Sequence, residues 1–276
     1  MSALVVRKVM GLALVQDLGR VGFASQGVPR GGALVRSALA RANVAVGNDA
    51  GAAAIEISGR LVVAAEGELV VATERGDCRV LSPGAELAVE PDASRRVRYL
   101  AVAGGVDVPR VLGSRSTLRV AGLGGFEGRA LRAGDRLRVA VGVGEEDEGG
   151  VYGPGIEMGS EWPIRVVAGP DGEAFGARAL ESLMGQGWRV GSQSDRAGTR
   201  LEGLPIPRAP GFADALSSSP MAVGAIQVPA SGLPIVLGPD GPTTGGYPLI
   251  GVIAAADLDR FHALPLGAEV RFALFS

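Results

Sequence analysis

The sequence predicts a mainly β protein with a few helices, laid out as two β domains. Three observations predict it. Most of the 276 residues fall into short apolar runs broken by turn residues, the pattern of brief strands. Glycine accounts for 44 residues, about twice its usual share, with no strict Gly-X-Y period, so it marks many tight turns rather than a collagen-like chain. A charged, Gly-rich seam, Glu145-Glu146-Asp147-Glu148-Gly149-Gly150 followed by Gly153-Pro154-Gly155, has the composition of an exposed linker and divides the chain into similar halves, 1–148 and 149–276.

In chain order, strands are predicted at 60–64, 68–72, 97–102, 136–139, 164–167 and 270–274, with a further apolar run at 232–238. Three stretches read as helices. Residues 33–46 carry apolar side chains at helical spacing and stop at Gly47-Asn48. Residues 173–184 follow Asp171, a candidate N-cap, and residues 254–264 end against Pro265. Two echoes link the halves in the same order. Val108-Pro109-Arg110-Val111-Leu112-Gly113 is similar to Leu233-Pro234-Ile235-Val236-Leu237-Gly238, and 131–139 is similar to 264–272, hinting at two related barrels.

Composition excludes several chemistries. With 47% hydrophobic and 20% charged residues the chain can fill a core. A net charge of −2 offers no basic face for nucleic acid. Cys78 is the single cysteine, which rules out an internal disulfide and fits a reducing compartment; it is expected to be a small buried residue. The apolar run at 10–15 is too short for a membrane span, and no small-residue cleavage site follows, so a cytoplasmic protein is expected. His262 is the only histidine and sits in a helix-like stretch, where a surface or half-buried position is expected; no metal site is. Lys8 is the only lysine, so there is no P-loop Gly-Lys-Ser/Thr, Schiff-base lysine or biotin-bearing lysine. Positive charge comes from arginine, suited to bidentate recognition of carboxylate or phosphate.

Four groups of residues are candidates for chemistry. Gln16, Asp17 and Arg20 precede the Gly31-Gly32 turn. Arg20 could hold a substrate carboxylate while Asp17 handles a proton, or the two form a surface ion pair beside a flexible turn. The amides of that turn, at the start of the first helix, are a natural anion seat. Asn43 and Glu56 are polar residues in apolar company: Glu56 is either buried and paired, or faces solvent from a half-exposed strand. Arg196 and Gln227 lie in the second half. So does Thr243-Thr244-Gly245-Gly246-Tyr247-Pro248, whose hydroxyls and amides suit an anion and whose glycines equally suit a barrel corner.

Ten segments in order carry a wider likeness: Gln16–Arg20, Ala42-Asn43 with Val46-Gly47-Asn48, Glu56-Ile57, 99–109, 113–117, Gly134-Asp135, 194–198, Arg200-Leu201, 226–229 and 243–248. Together they resemble the C-subunit family of bacterial 5-oxoprolinase, also described as KipA-like or allophanate-hydrolase-subunit-2-like. That family is related to part of the biotin-dependent carboxyltransferase domain of urea carboxylase. The resemblance implies two cyclophilin-like β barrels, with a KipI-like B subunit and a further A subunit of 5-oxoprolinase as partners. It implies opening of the 5-oxoproline lactam to glutamate with ATP, as Mg-ATP at the level of the complex. It also leaves two alternatives: a KipA-like regulator that binds a KipI-like kinase inhibitor, or one half of a biotin-dependent carboxyltransferase. Under this reading Asp17 and Glu56 are acid/base candidates, and Arg20 and Arg196 are clamps. Gln16, Asn43, Gln227, Thr243, Thr244, Gly245, Gly246 and Tyr247 bind substrate. Three positions depart from the family pattern. Val35 stands where an Asp is usual, Thr73-Glu74-Arg75 replaces Thr-Gly-Ala, and Pro242 replaces a Gln.

Overall fold

Strands dominate because the apolar runs are rich in valine and leucine and are punctuated by glycine, as a computed structural model of the chain shows. It describes residues 2–140, 163–176, 178–212 and 216–275; the seam at 145–155 and the expected boundary at 148/149 lie outside them. The chain forms two compact units, Met1–Gly22 with Arg30–Ile156, and Phe23–Pro29 with Glu157–Ser276.

In the first unit the strands are β1 (Ala3–Gln16), β2 (Ala54–Glu66), β3 (Leu69–Thr73), β4 (Arg79–Leu81), β5 (Glu86–Val89), β6 (Arg98–Val102) and β7 (Arg136–Arg138), with one helix, α1 (Arg36–Ala45). They make a barrel-like antiparallel sheet in the order β4-β3-β6-β2-β1-β7, with β5 also on β2. The long β1–β2 ladder aligns Gly11 with Gly59. Both have positive φ (103° and 114°), and a methyl group on either would overlap the backbone carbonyl of the facing strand. These glycines let two long strands turn together. At its far end β1 brings Gln16 opposite Ala54, and Leu14 opposite Glu56. Gln16 and Glu56 therefore share a face of the sheet. Tyr99 of β6 lies opposite Glu56 on its other side.

In the second unit β8 (Ile164–Ala168), β9 (Trp188–Val190), β10 (Gly198–Glu202), β12 (Ala225–Gln227), β13 (Ile235–Leu237), β15 (Leu249–Ile253), β16 (Glu269–Val270) and β17 (Phe272–Leu274) form one sheet. Its order is β16-β9-β10-β13-β12-β15-β8-β17. β11 (Ser219–Pro220) and β14 (Thr244–Gly245) pair separately. The helices are α2 (Ala179–Met184) and α3 (Leu258–His262). Each unit has its own core, centred on Leu4, Ile55 and Leu100 in the first and on Val166, Trp188 and Ile226 in the second.

Several sequence expectations need correction. All three helices are shorter than the periodicity predicts. α1 starts only after Val35, which is extended (φ −121°), while 173–184 and 254–264 each break into a 3-10 turn and a short helix. Asp171 makes no helix cap; its carboxylate accepts the Leu249 amide at 2.8 Å. His262 is buried, packed edge-on to Phe261 with ring centroids 5.5 Å apart, because α3 lies against the core. Cys78 is exposed in the short turn between β3 and β4. The first echo does not extend to structure, since 235–237 is strand while Val111 makes only an isolated bridge to Ser114. The second does. Gly134 and Gly267, both at positive φ, donate their amides to Val6 (2.8 Å) and Val190 (2.7 Å) just before β7 and β16.

Candidate functional site

Each unit holds its own group of candidate residues. In the first, the chain leaving β1 is gripped by a segment about a hundred residues away. The Asp17 carboxylate accepts hydrogen bonds from the Gly19 amide (2.8 Å), the Ser114 hydroxyl (2.7 Å), the Arg115 amide (2.5 Å) and the Ser116 hydroxyl. Arg20 is 2% exposed; its Nε donates to the Val111 carbonyl (3.2 Å) and its Nη2 to the Ser116 carbonyl. Gln16, fully buried, donates from Nε2 to the Thr117 carbonyl (3.1 Å). All three side chains thus hold the 111–117 segment. The surface ion pair beside a flexible turn is overturned, because Arg20 is buried and Gly31 and Gly32 are buried with it. Gly32 packs so close to Leu18 and Gly19 that a methyl group would come within 2.7 Å of their backbone.

Glu56 is also buried, 3% exposed, so its solvent-facing alternative fails. The flanking Ile55 and Ile57 are buried too. Its Oε2 accepts the Leu34 amide (2.7 Å) and the Tyr99 hydroxyl (2.6 Å), and that hydroxyl in turn accepts the Val35 amide (2.9 Å). Helix N-terminal amides lack intrahelical partners and carry positive partial charge. Here a carboxylate of the protein itself lies beside the start of α1 and takes the Leu34 amide, two positions before the first helical residue. Asn43 is an internal staple, donating to the carbonyls of Ala50 (3.3 Å) and Ala52 (2.7 Å) while its oxygen accepts from Asn48 (3.1 Å).

Two of the departures are absorbed by packing. Val35 stands at the N-cap position of α1 and makes no side-chain cap, the work being done by Glu56 and Tyr99. The Glu74 carboxylate is wholly buried, ion-paired with Arg98 and accepting the Tyr99 amide (3.0 Å). Sequence reasoning assigns no role to Tyr99, Ser114 and Ser116. The only signal for them is their place among the ordered motifs.

In the second unit, Arg196 grips Asp240 through two hydrogen bonds of 2.8 Å, Nε to Oδ2 and Nη2 to Oδ1, and the Arg196 carbonyl accepts the Asp240 amide (3.1 Å). This fixes the turn just before Pro242 and Thr243. Sequence reasoning misses Asp240, whose Gly-Pro-Asp-Gly context reads only as a turn. Gln227, at the end of β12, points its amide at the glycine pair: Nε2 lies 3.5 Å from the Tyr247 carbonyl, and a methyl on Gly245 would come within 2.5 Å of it. Thr244–Gly245 pairs with Ser219–Pro220, and the Met221 amide donates to the Thr243 carbonyl (2.9 Å). Gln227, Gly245, Gly246 and Tyr247 are therefore brought together, with Thr243 half-buried and Thr244 and Tyr247 exposed.

Residues 26–274 match the family described as carboxyltransferase domain, subdomain A and B. The chain belongs to this family. One carboxyltransferase relative is the C subunit of 5-oxoprolinase from Escherichia coli K12, 37% identical over 94% of this chain and 86% of that protein. Another is urea amidolyase of Lachancea kluyveri, 30% identical over 94% of this chain but only 16% of that protein. The solved urea amidolyase of K. lactis superposes with a TM-score of 0.89 at 27% identity, covering 99% of this chain and 19% of that one. The chain thus spans most of the 5-oxoprolinase relative and a small part of the urea amidolyases.

The Glu56 carboxylate takes the Leu34 amide just before α1, and no cluster of three or more His, Cys, Asp or Glu able to hold a metal occurs among the described residues. No helix among them is long and apolar enough to cross a membrane.

Proposed function

We propose that this chain is the C subunit of an ATP-dependent 5-oxoprolinase, acting with a KipI-like B subunit and an A subunit in the cytoplasm to open 5-oxoproline to glutamate. One observation carries the reading: the 37% identity to the 5-oxoprolinase C subunit runs through 86% of that protein, whereas the match to urea amidolyase stops at 16% of it. ATP acts at the level of the complex.

In this reading Gln16, Asp17, Arg20, Asn43 and Glu56 are positioning residues, since each holds backbone or side chains of the protein itself. Glu56, wrapped by a hydroxyl and an amide, fixes where α1 begins. Asp17 and Arg20 fix the 111–117 segment. A lactam is a stable amide, so its opening needs donors aimed at the oxygen where charge develops. The exposed Thr244 hydroxyl and the Gly245-Gly246 backbone are the groups of this chain that fit that role. Arg196 acts through Asp240, holding the turn that leads into them.

The test is reconstitution with the A and B subunits, Mg-ATP and 5-oxoproline, measuring glutamate released. Turnover that requires all three proteins is the expected result. No turnover, and none after Pro242→Gln restores the missing side-chain amide at an exposed position, would overturn the proposal. Carboxyl transfer from carboxybiotin to urea, when both are supplied to the same proteins, would replace it with the carboxyltransferase reading.

A further inference from the structure

The second unit contains a cavity of about 400 Å3 on the outer side of β10, within the roughly 300–1,000 Å3 typical of small-molecule sites. Leu233, Pro234 and Ile235 contribute to its apolar floor, and Gln193, Arg200, Glu202 and Tyr247 stand around it. The strand explains this arrangement. Thr199 and Leu201 face the core, so Arg200 and Glu202 share the outward face, with Arg200 directly opposite Ile235 of β13.

Arg200 is anchored but uncommitted. Its backbone amide donates to the Ser194 hydroxyl at 2.9 Å, while its guanidinium has no ion pair or hydrogen bond among the described residues. Arg196, four residues earlier, differs: it is tied bidentately to Asp240. Glu202 lies across the β9–β10 ladder from Arg189. Of the lining residues Arg200 is the one cation, beside the Glu202 carboxylate, so the wall offers a single guanidinium for a single anionic group. Tyr247, 45% exposed, presents its ring at the rim. It is held there from behind by Gln227, whose amide packs on Gly245, and by the buried Pro248.

We infer that this cavity is the binding site for a small monoanionic carboxylic acid with a compact apolar body and an amide. The carboxylate sits on Arg200, the methylenes against Ile235 and Tyr247, and the amide within reach of Gln193. Resting on the 5-oxoprolinase reading, the ligand is the cyclic amide acid 5-oxoproline. Arg200 matches a carboxylate with a planar fork of donors, and the neutral remainder matches a floor without further charge.

The test has two arms. In the first, the purified chain is titrated calorimetrically with 5-oxoproline and with 2-pyrrolidinone, the same ring without the carboxylate. In the second, the reconstituted complex is assayed for KM toward 5-oxoproline and toward ATP. Arg200→Ala weakens 5-oxoproline binding at least about tenfold, the loss of one charge-assisted pair. It raises the 5-oxoproline KM by a similar factor and leaves the ATP KM in place. Arg200→Lys recovers part of the loss, and 2-pyrrolidinone binds equally weakly to wild type and variant. Arg271→Ala, which removes an exposed charge elsewhere in the unit, changes nothing. A complex that turns over with an unchanged KM in Arg200→Ala sinks the cavity assignment and leaves the proposed function standing. An inactive complex in which this chain still binds 5-oxoproline through Arg200 does the reverse. A chain that binds nothing, in an inactive complex, sinks both.

Discussion

Asp17→Ala separates a clamp from a proton carrier. The carboxylate accepts four hydrogen bonds, two from backbone amides (Gly19, Arg115) and two from hydroxyls (Ser114, Ser116). Hydroxyls can rotate to other acceptors, but the amides are fixed by the chain. A stranded buried amide costs about 1–3 kcal/mol, so two set a range of about 2–6 kcal/mol. Asp17 is half-buried, and water reaching the vacated space brings the expectation to about 2–4 kcal/mol. Urea unfolding of the isolated chain measures this directly, as a lower midpoint with an unchanged slope. The refuting result is an unfolding free energy within about 0.5 kcal/mol of wild type, the usual range for an ordinary surface change. If the complex also lost one limb of its pH–rate profile, Asp17 would be a general acid or base instead.

Other expectations follow from the same contacts. Arg98→Met leaves the wholly buried Glu74 without its partner and costs about 3–5 kcal/mol. Adding Glu74→Gln, which still accepts the Tyr99 amide, recovers most of that loss, and a double-mutant cycle by chemical denaturation measures the coupling. Asp257 titrates below the usual carboxylate range: burial pushes it up, but hydrogen bonds from Arg165 and the charge of Arg260 outweigh burial. Its contribution is therefore full above the unfolded value near ~4 and is lost as pH falls through the lower folded value. Urea midpoints measured from pH 5 down to about pH 2 should fall less steeply in Asp257→Asn than in wild type; equal slopes would contradict the assignment. Gly11→Ala puts a side chain at φ 103° and against the Ser58 carbonyl, and should lower stability by about 1–3 kcal/mol or more. An unchanged melting temperature would show that the β1–β2 crossing does not need glycine there.

The strands are legible in the sequence because burial and β-branched runs coincide. Residues 60–64, 98–102 and 164–167 are read from their own side chains, with no distant partner required. Helix α1 begins three residues later than its periodicity predicts, for the opposite reason. Its approach at Leu34 and Val35 is set by Glu56 and Tyr99, which are 22 and 64 positions further along the chain. Glu56 is left open by a local reading: alternation with Ile55 and Ile57 fits a polar outer face as well as a buried, paired carboxylate, and the second holds because this end of β2 is buried on both faces. Asp17 and Arg20 are legible as a functional-looking pair, yet what they hold is 91 to 99 residues away, a separation that spacing does not reveal.

The departures from the family pattern make most sense beside these long-range contacts. A Glu at position 74 is tolerable because Arg98 faces it, and at Val35 the amides leading into α1, those of Leu34 and Val35, are taken by Glu56 and Tyr99. Both changes fall on the scaffold and come with their compensation in place. Pro242 is different: it is exposed, and it stands directly before the Thr243–Pro248 turn. There the two glycines admit the Gln227 amide and the chain at Leu216, and so aim Tyr247 outward at the cavity beside Arg200. Divergence absorbed by packing leaves a binding surface intact, whereas divergence at an exposed rim alters what that surface can do. The two scaffold changes should therefore show in stability, and Pro242 in the behaviour toward substrate.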